Sequence, residues 1–234
     1  QAGLTDEALK QYKTCAERYP ESQYAGESLG KLVDYYLNSR DYPRAERIYR
    51  LLVESYGDFE LASIRLASTK ADLETGIRNC RISAADRAAA EAMKSGDPAK
   101  ALDTYADAFK EYAGDRDLAA KYLRTVREIK AAGDAALAGK DFARAGKLHG
   151  LLLQRHPVFE GMTPRVPFGK ADLEAAIVLC RDDLTKAGLA EYRAGNLAKA
   201  ITIWESLLAF DPANAEIRKA VETARTQLKG IIKK

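Results

Sequence analysis

Two histidines, three cysteines and a few neighbouring acids are the side chains that could make this chain reactive. His149 and His156 stand seven residues apart within one expected helix. That separation is two turns, about 10 Å along the axis, too far to share a small ion without other ligands. His149 also falls in the aromatic slot of a repeated pattern, which predicts packing. Cys80 and Cys180 sit at mid-helix positions, where a reactive thiolate has neither a cation nor a helix N-terminus to lower its pKa. Together with Cys15 they are an odd number without Cys-x-x-Cys spacing, so buried free thiols are expected, with neither a disulfide framework nor a zinc site. The acidic runs Asp182-Asp183 and Asp115-Arg116-Asp117 are expected where helices begin or the surface turns. There is no Gly-x-Ser-x-Gly elbow, no phosphate loop ending in Gly-Lys-Ser/Thr and no His-Glu-x-x-His. The sequence therefore predicts a chain that is not an enzyme, with no catalytic, cofactor-binding or metal-binding residue.

The elements carrying these residues repeat. Lys70-Ala-Asp-Leu-Glu-Thr-Gly-Ile-Arg-Asn-Cys80 recurs as Lys170-Ala-Asp-Leu-Glu-Ala-Ala-Ile-Val-Leu-Cys180, a shift of 100 residues with seven of eleven positions identical. The same shift lays Asp41-Tyr42-Pro43-Arg44-Ala45, Leu51-Leu52 and Phe59-Glu60 on Asp141-Phe142-Ala143-Arg144-Ala145, Leu151-Leu152 and Phe159-Glu160. We read an internal duplication. Within each copy a smaller unit places a small residue, then an aromatic or His four later, then small or aliphatic residues. The instances are Ala8/Tyr12/Cys15/Pro20, Ala45/Tyr49/Leu52, Ala101/Tyr105/Ala108, Ala145/His149/Leu152/Pro157 and Ala200/Trp204/Leu207/Pro212. Such spacing puts the side chains on one helical face, with alanine admitting a neighbouring helix and the aromatic filling the space beside it.

The last unit, with Gly188, Tyr192, Gly195, Leu197, Ala200, Ile201, Trp204, Leu207, Leu208, Pro212 and Asn214, resembles the tetratricopeptide-repeat (TPR) family. The fold expected from this is all-α: a right-handed TPR-like solenoid of antiparallel helix hairpins. The halves would be 1–115 and 116–234, one continuous array closed by a capping helix over Ala215–Lys234, with Ile217, Val221, Ala224 and Leu228 on its inner face. The segment Arg18-Tyr-Pro-Glu-Ser-Gln-Tyr-Ala25, with Asp41-Tyr42, is similar to TPR lipoproteins of bacterial envelopes, of the β-barrel-assembly and Tol-Pal coordinator types. Unlike an ordinary repeat, Ala45 to Ala101 spans 56 residues and Ala145 to Ala200 spans 55. An extra helix, or one long helix over roughly 60–95 and 170–194, must fill each gap.

The resemblance implies a non-catalytic scaffold that binds a protein or peptide in a concave groove. Groove positions carried over from the family are Asp34, Asn38, Lys94, Arg127, Lys130, Leu189, Tyr192 and Arg193. A second candidate is the proline-rich segment Pro157–Gly169, with Phe159, Met162, Arg165 and Phe168 either recognising a partner or folding back on the protein. Its counterpart, Gly57–Thr69, lacks proline and is expected to be largely helical. The alternative function is a glycan- or peptidoglycan-binding accessory subunit, for which Tyr35, Tyr36 and Tyr192 are available.

Composition sets the outer limits. Of 234 residues 47% are hydrophobic and 30% charged, enough for a core and a solvated surface, so disorder is excluded. A net charge of +3, scattered along the chain, is no nucleic-acid footprint. No apolar run reaches the length of a membrane span. The envelope resemblance implies a periplasmic site or the inner face of the outer membrane, with an anchor only through a segment preceding Gln1; the cytoplasm is the alternative. The terminal Lys229–Lys234 stretch is expected to fray.

Overall fold

The computed structural model describes residues 2–232, and the side chains of 7–57 and 60–230. It is all-helical, 79% helix with no strand among these residues. Twelve helices follow in order: α1 (Ala2–Arg18), α2 (Gln23–Asn38), α3 (Tyr42–Ser55), α4 (Asp58–Ser63), α5 (Lys70–Lys94), α6 (Pro98–Asp103), α7 (Ala106–Glu111), α8 (Arg116–Ala138), α9 (Phe142–Phe159), α10 (Lys170–Arg193), α11 (Leu197–Leu208) and α12 (Ala215–Ile232). They form two compact units, residues 1–94 with 103–118, and residues 95–102 with 119–234.

The same turn joins α2 to α3, α8 to α9 and α10 to α11. Asp41, Asp141 and Asn196 each donate a backbone N–H back across the turn, to the carbonyls of Tyr36 (2.8 Å), Ala136 (2.8 Å) and Glu191 (2.9 Å). The preceding residue lies in the left-handed region: Arg40 at φ 58, Lys140 at φ 61 and Gly195 at φ 82. This is the six-to-one closure that ends helices in a left-handed residue and satisfies their last carbonyls. Asp41 and Asp141 then start the next helix, their carboxylates accepting the backbone N–H of Arg44 (3.3 Å) and Arg144 (3.1 Å). Removing either cap by alanine is expected to cost about 1 kcal/mol, and both together about twice that, in urea titrations. A double variant indistinguishable from the parent would refute the capping role.

In the first unit α1 packs on α2, α2 on α3 and α3 on α5, and α5 touches α7. Leu29, Leu32, Leu52, Leu61, Ile64 and Leu73 make its core. Of the two ways to fill the 60–95 gap, an extra helix or one long helix, the structure has a short α4 followed by the long α5. Thr69 and Asp72 start α5 with a reciprocal box: the Thr69 N–H and hydroxyl donate to Asp72 (2.8 and 2.7 Å), and the Asp72 N–H donates to the Thr69 hydroxyl (3.2 Å). Residues 57–69 are therefore only partly helical, because a cap at Thr69 commits its own backbone to a non-helical conformation. Ser22 caps α2 by accepting the Tyr24 N–H (3.2 Å), leaving Tyr19 and Tyr24 exposed.

In the second unit α9 packs on α10, α10 on α11 and α11 on α12, and α11 also touches α9. Ala200, Ile201, Trp204, Leu207, Ile217 and Val221 belong to one buried cluster, against which Leu228 packs. Helix α12 continues through Ile232 where fraying was expected; Lys233 and Lys234 lie outside the described residues. Helix α9 runs two residues beyond Pro157. The Ala101/Tyr105/Ala108 unit, expected on one helix, is divided between α6 and α7, with the wholly buried Tyr105 at the break.

Candidate functional site

The residues with reactive chemistry are held inside the helix packing. Cys80 and Cys180 are buried, and Cys15 is half-buried. Burial, reinforced by Glu46, pushes the Cys80 thiol up to about 11; burial, reinforced by Asp183, does the same to Cys180. Both are protonated at neutral pH and poor nucleophiles. His156 lies against Phe159 in an edge-to-face contact, ring centres 5.1 Å apart. Among the described residues no group of three or more His, Cys, Asp or Glu side chains is arranged to hold a metal ion.

His149 fills its aromatic slot completely, with no solvent exposure, because α8 offers Gly133 beneath the ring. A Cβ there would lie 2.9 Å from the ring carbon Cε1. Neither ring nitrogen has a hydrogen-bond partner among the described residues; the nearest charge, Asp134 Oδ1, is 3.6 Å from Nε2 and is itself held by Lys130 at 2.6 Å. Burial, and then the Lys130 charge, lower the His149 pKa against the opposing pull of Asp134 and the Gly133 backbone. The unfolded chain therefore takes up the proton first, at the ordinary value of 6.5, and this contribution to stability is full above that pH and declines as pH falls below it. Melting temperature is expected to fall between pH 7 and 5 in the parent, and His149→Phe is expected to flatten that fall. An equal fall in both proteins would remove His149 as the cause.

Tyr49 and Trp204 occupy the same kind of slot. The Tyr49 ring lies over Gly76 of α5, and Trp204 over Gly188 of α10. Burial, then Cys80 and Asp34, raise the Tyr49 pKa. Asp34 and Cys80 lie near Tyr49, and Asp134 lies near His149, but the two rings rest on different helices, Tyr49 on α5 and His149 on α8.

The acidic runs differ from each other. Asp115 caps α8, accepting the N–H of Asp117 (2.9 Å) and Leu118 (3.0 Å), and is bound by Arg78, which also reaches Asp117 at 2.7 Å. Asp182 and Asp183, expected where a helix begins or the surface turns, lie in the middle of α10. The continuous heptad-like spacing from Leu173 to Leu184 keeps that helix unbroken through them.

Of the groove positions, Asp34, Asn38 and Lys94 in the first unit are exposed. In the second, Leu189 and Arg193 are exposed on α10, while Arg127 and Lys130 are half-buried on α8. Tyr192 packs against Trp204, centres 5.8 Å apart, and belongs to the core layer. In the proline-rich segment Phe159 is buried; Phe168 meets its edge at 6.1 Å and carries the Lys130 ammonium over its face at 5.4 Å. Both rings fold inward, whereas Arg165 is exposed and Met162 half-buried.

An open concavity of about 630 Å³ in the first unit was not anticipated. Its floor is Leu29, Leu32 and Tyr36 of α2, and its walls come from α1 and α3. The signal that could have found it is Leu51, apolar yet 45% exposed on α3, opposite Leu9 and Ala16 at two-turn spacing on α1. No family model, curated protein or solved structure matches this chain. The concavity is an apolar surface with charged edges, whereas His149, His156, Cys80 and Cys180 are buried.

Proposed function

We propose that this chain is a non-catalytic interaction scaffold of TPR-like helix hairpins, internally duplicated, that binds a protein partner within a bacterial envelope complex. The open apolar concavity of the first unit carries the reading, since an exposed apolar surface of this kind marks a place another molecule covers. The duplication is supported by matched geometry at the 100-residue shift: the left-handed turns before Asp41 and Asp141, their capping carboxylates, and the ion pairs Arg81–Glu111 (3.6 Å) and Arg181–Asp211 (3.8 Å). The envelope location rests on the Arg18–Ala25 resemblance.

Affinity capture of cross-linked partners, identified by mass spectrometry, tests the scaffold role. The parent chain should be run beside a variant with Lys94, Leu189 and Arg193 changed to alanine, leaving Tyr192 and Lys130 in place because they pack or pair internally. A saturable partner, confirmed with purified components, supports the reading. Absence of any protein partner, with a polysaccharide retained instead, would replace it by the glycan-binding alternative.

A further inference from the structure

The concavity of the first unit is lined at helical spacing. Its floor residues Leu29, Leu32 and Tyr36 are spaced three and four apart along α2, and Ile48 and Leu51 follow the same spacing on α3. The hydroxyl of Tyr56, just after α3, donates to the Pro20 carbonyl just after α1 at 3.1 Å, so both walls close together at that end. The apolar surface continues for about two helical turns, roughly 10 Å, the length over which a docked amphipathic helix places anchors at i, i+3 or i+4, and i+7.

Charge decides what kind of helix. The rim carries Lys10 and Lys13 on α1, and Arg44 and Arg47 on α3, against the single acid Glu17. Lys13 is already partnered by Glu17 (3.7 Å), and Arg44 by Asp41 (2.9 Å) while it also lies 5.6 Å over the Tyr36 ring. Lys10 and Arg47, one on each wall, are exposed and have no acidic partner among the described residues. A single headgroup would be matched by cations gathered at one point; here they stand on both rims and repeat at one-turn spacing. We infer that this slot takes an acidic amphipathic helix of a partner protein, its apolar stripe on Leu29, Leu32 and Leu51 and its flanking Asp or Glu residues against Lys10 and Arg47. This inference rests on the scaffold reading and specifies its partner.

The test is fluorescence anisotropy with the full chain at low salt, using two labelled helical probes with leucines at i, i+4 and i+7, one flanked on both sides by glutamate, the other by lysine. The glutamate probe is expected to bind about tenfold or more tighter than the lysine probe, and to weaken as salt is raised. Lys10→Glu with Arg47→Glu is expected to reverse the preference, and Leu51→Asp to abolish binding of the glutamate probe. All three positions are exposed, so the variants should keep the parent's circular dichroism. Equal binding of both probes, binding of neither, or a preference untouched by the charge reversal would overturn the inference. So would dodecanoate binding the slot when the glutamate probe does not, which would assign it to a small amphiphile. If a captured partner is unaffected by the Lys10/Arg47 reversal and by Leu51→Asp, the helix slot falls while the scaffold role stands; if no protein partner exists, the scaffold role falls by its own measurement.

Discussion

Trp204→Ala is expected to lower the unfolding free energy by about 3–5 kcal/mol, the range for deleting a large buried aromatic side chain. Trp204 is 4% exposed, lies in the cluster joining α10, α11 and α12, and has the Tyr192 ring tilted against it. Its seat depends on a missing side chain: a Cβ at Gly188 would lie 2.2 Å from the indole Nε1. Gly188→Ala should therefore destabilise the parent by about 1–3 kcal/mol through overpacking. In the Trp204→Ala background the collision is gone, and alanine's better helix propensity, about 0.8–1 kcal/mol over glycine, should make the same change stabilising. A change of sign between backgrounds, read from urea unfolding, identifies the ring-on-glycine contact. A Gly188→Ala effect of equal size in both would show that the glycine serves something else. The indole N–H has no acceptor among the described residues, so Trp204→Phe, which removes that buried donor, should cost less than half of the alanine variant.

The second large effect belongs to Asp115, whose side chain caps α8 and holds Arg78. Losing the cap costs about 1 kcal/mol and losing a charge-assisted hydrogen bond about 1.5–3, so Asp115→Ala should cost about 3 kcal/mol at neutral pH. Burial alone would raise the Asp115 pKa. The hydrogen bond from Arg78, those from the Leu118 and Asp117 amides, and the Arg78 charge outweigh it and hold the carboxyl below the ordinary 3.8. The folded value being the lower one, this contribution is fully present above the unfolded pKa and disappears as pH falls through the folded pKa. The stability gap between parent and Asp115→Ala should stay level from pH 7 to 5 and close below about pH 4. Asp117→Asn is the comparison: its side chain is 70% exposed, so its bond to Arg78 should contribute less than about 1 kcal/mol. A gap that stays open in acid would mean that the side chain acts by shape alone.

Legibility followed the range over which each signal acts. The turns at 36–41, 136–141 and 191–196 are encoded within six residues; Gly195-Asn196 announced the last, while the turns before Asp41 and Asp141, whose left-handed residues are Arg40 and Lys140, carry no glycine to mark them. The small-then-aromatic spacing identified Tyr49, His149 and Trp204 as packing side chains, because a seven-residue stretch of helix already decides which residues share a face. Missed were the partners across helices. Gly76, Gly133 and Gly188 receive those rings from positions 16 to 27 residues away in sequence, and no local pattern pairs them. Glu46, adjacent to the buried Ala45, is 8% exposed and paired with Arg50 at 2.9 Å and with Arg81 at 3.7 Å, the latter a pairing that only the meeting of α3 and α5 creates. Tyr192, carried over as a groove position, packs against Trp204, and of the two courses open to the proline-rich segment Phe159 and Phe168 take the one that folds back on the protein.

By itself, the sequence determined the all-α class, the turn at Gly195-Asn196, the aromatic slots and the burial of both mid-helix thiols, since helix periodicity and glycine turns are local signals. Only the tertiary structure decided that the proline segment turns its two phenylalanines inward, that Asp115 is the acid with a structural anchor while Asp182 and Asp183 lie along a helix side, and that an apolar slot with cations on both rims opens across α1, α2 and α3. Those outcomes depend on which helix faces meet, and that is set by side chains far apart in the chain competing for the same buried space.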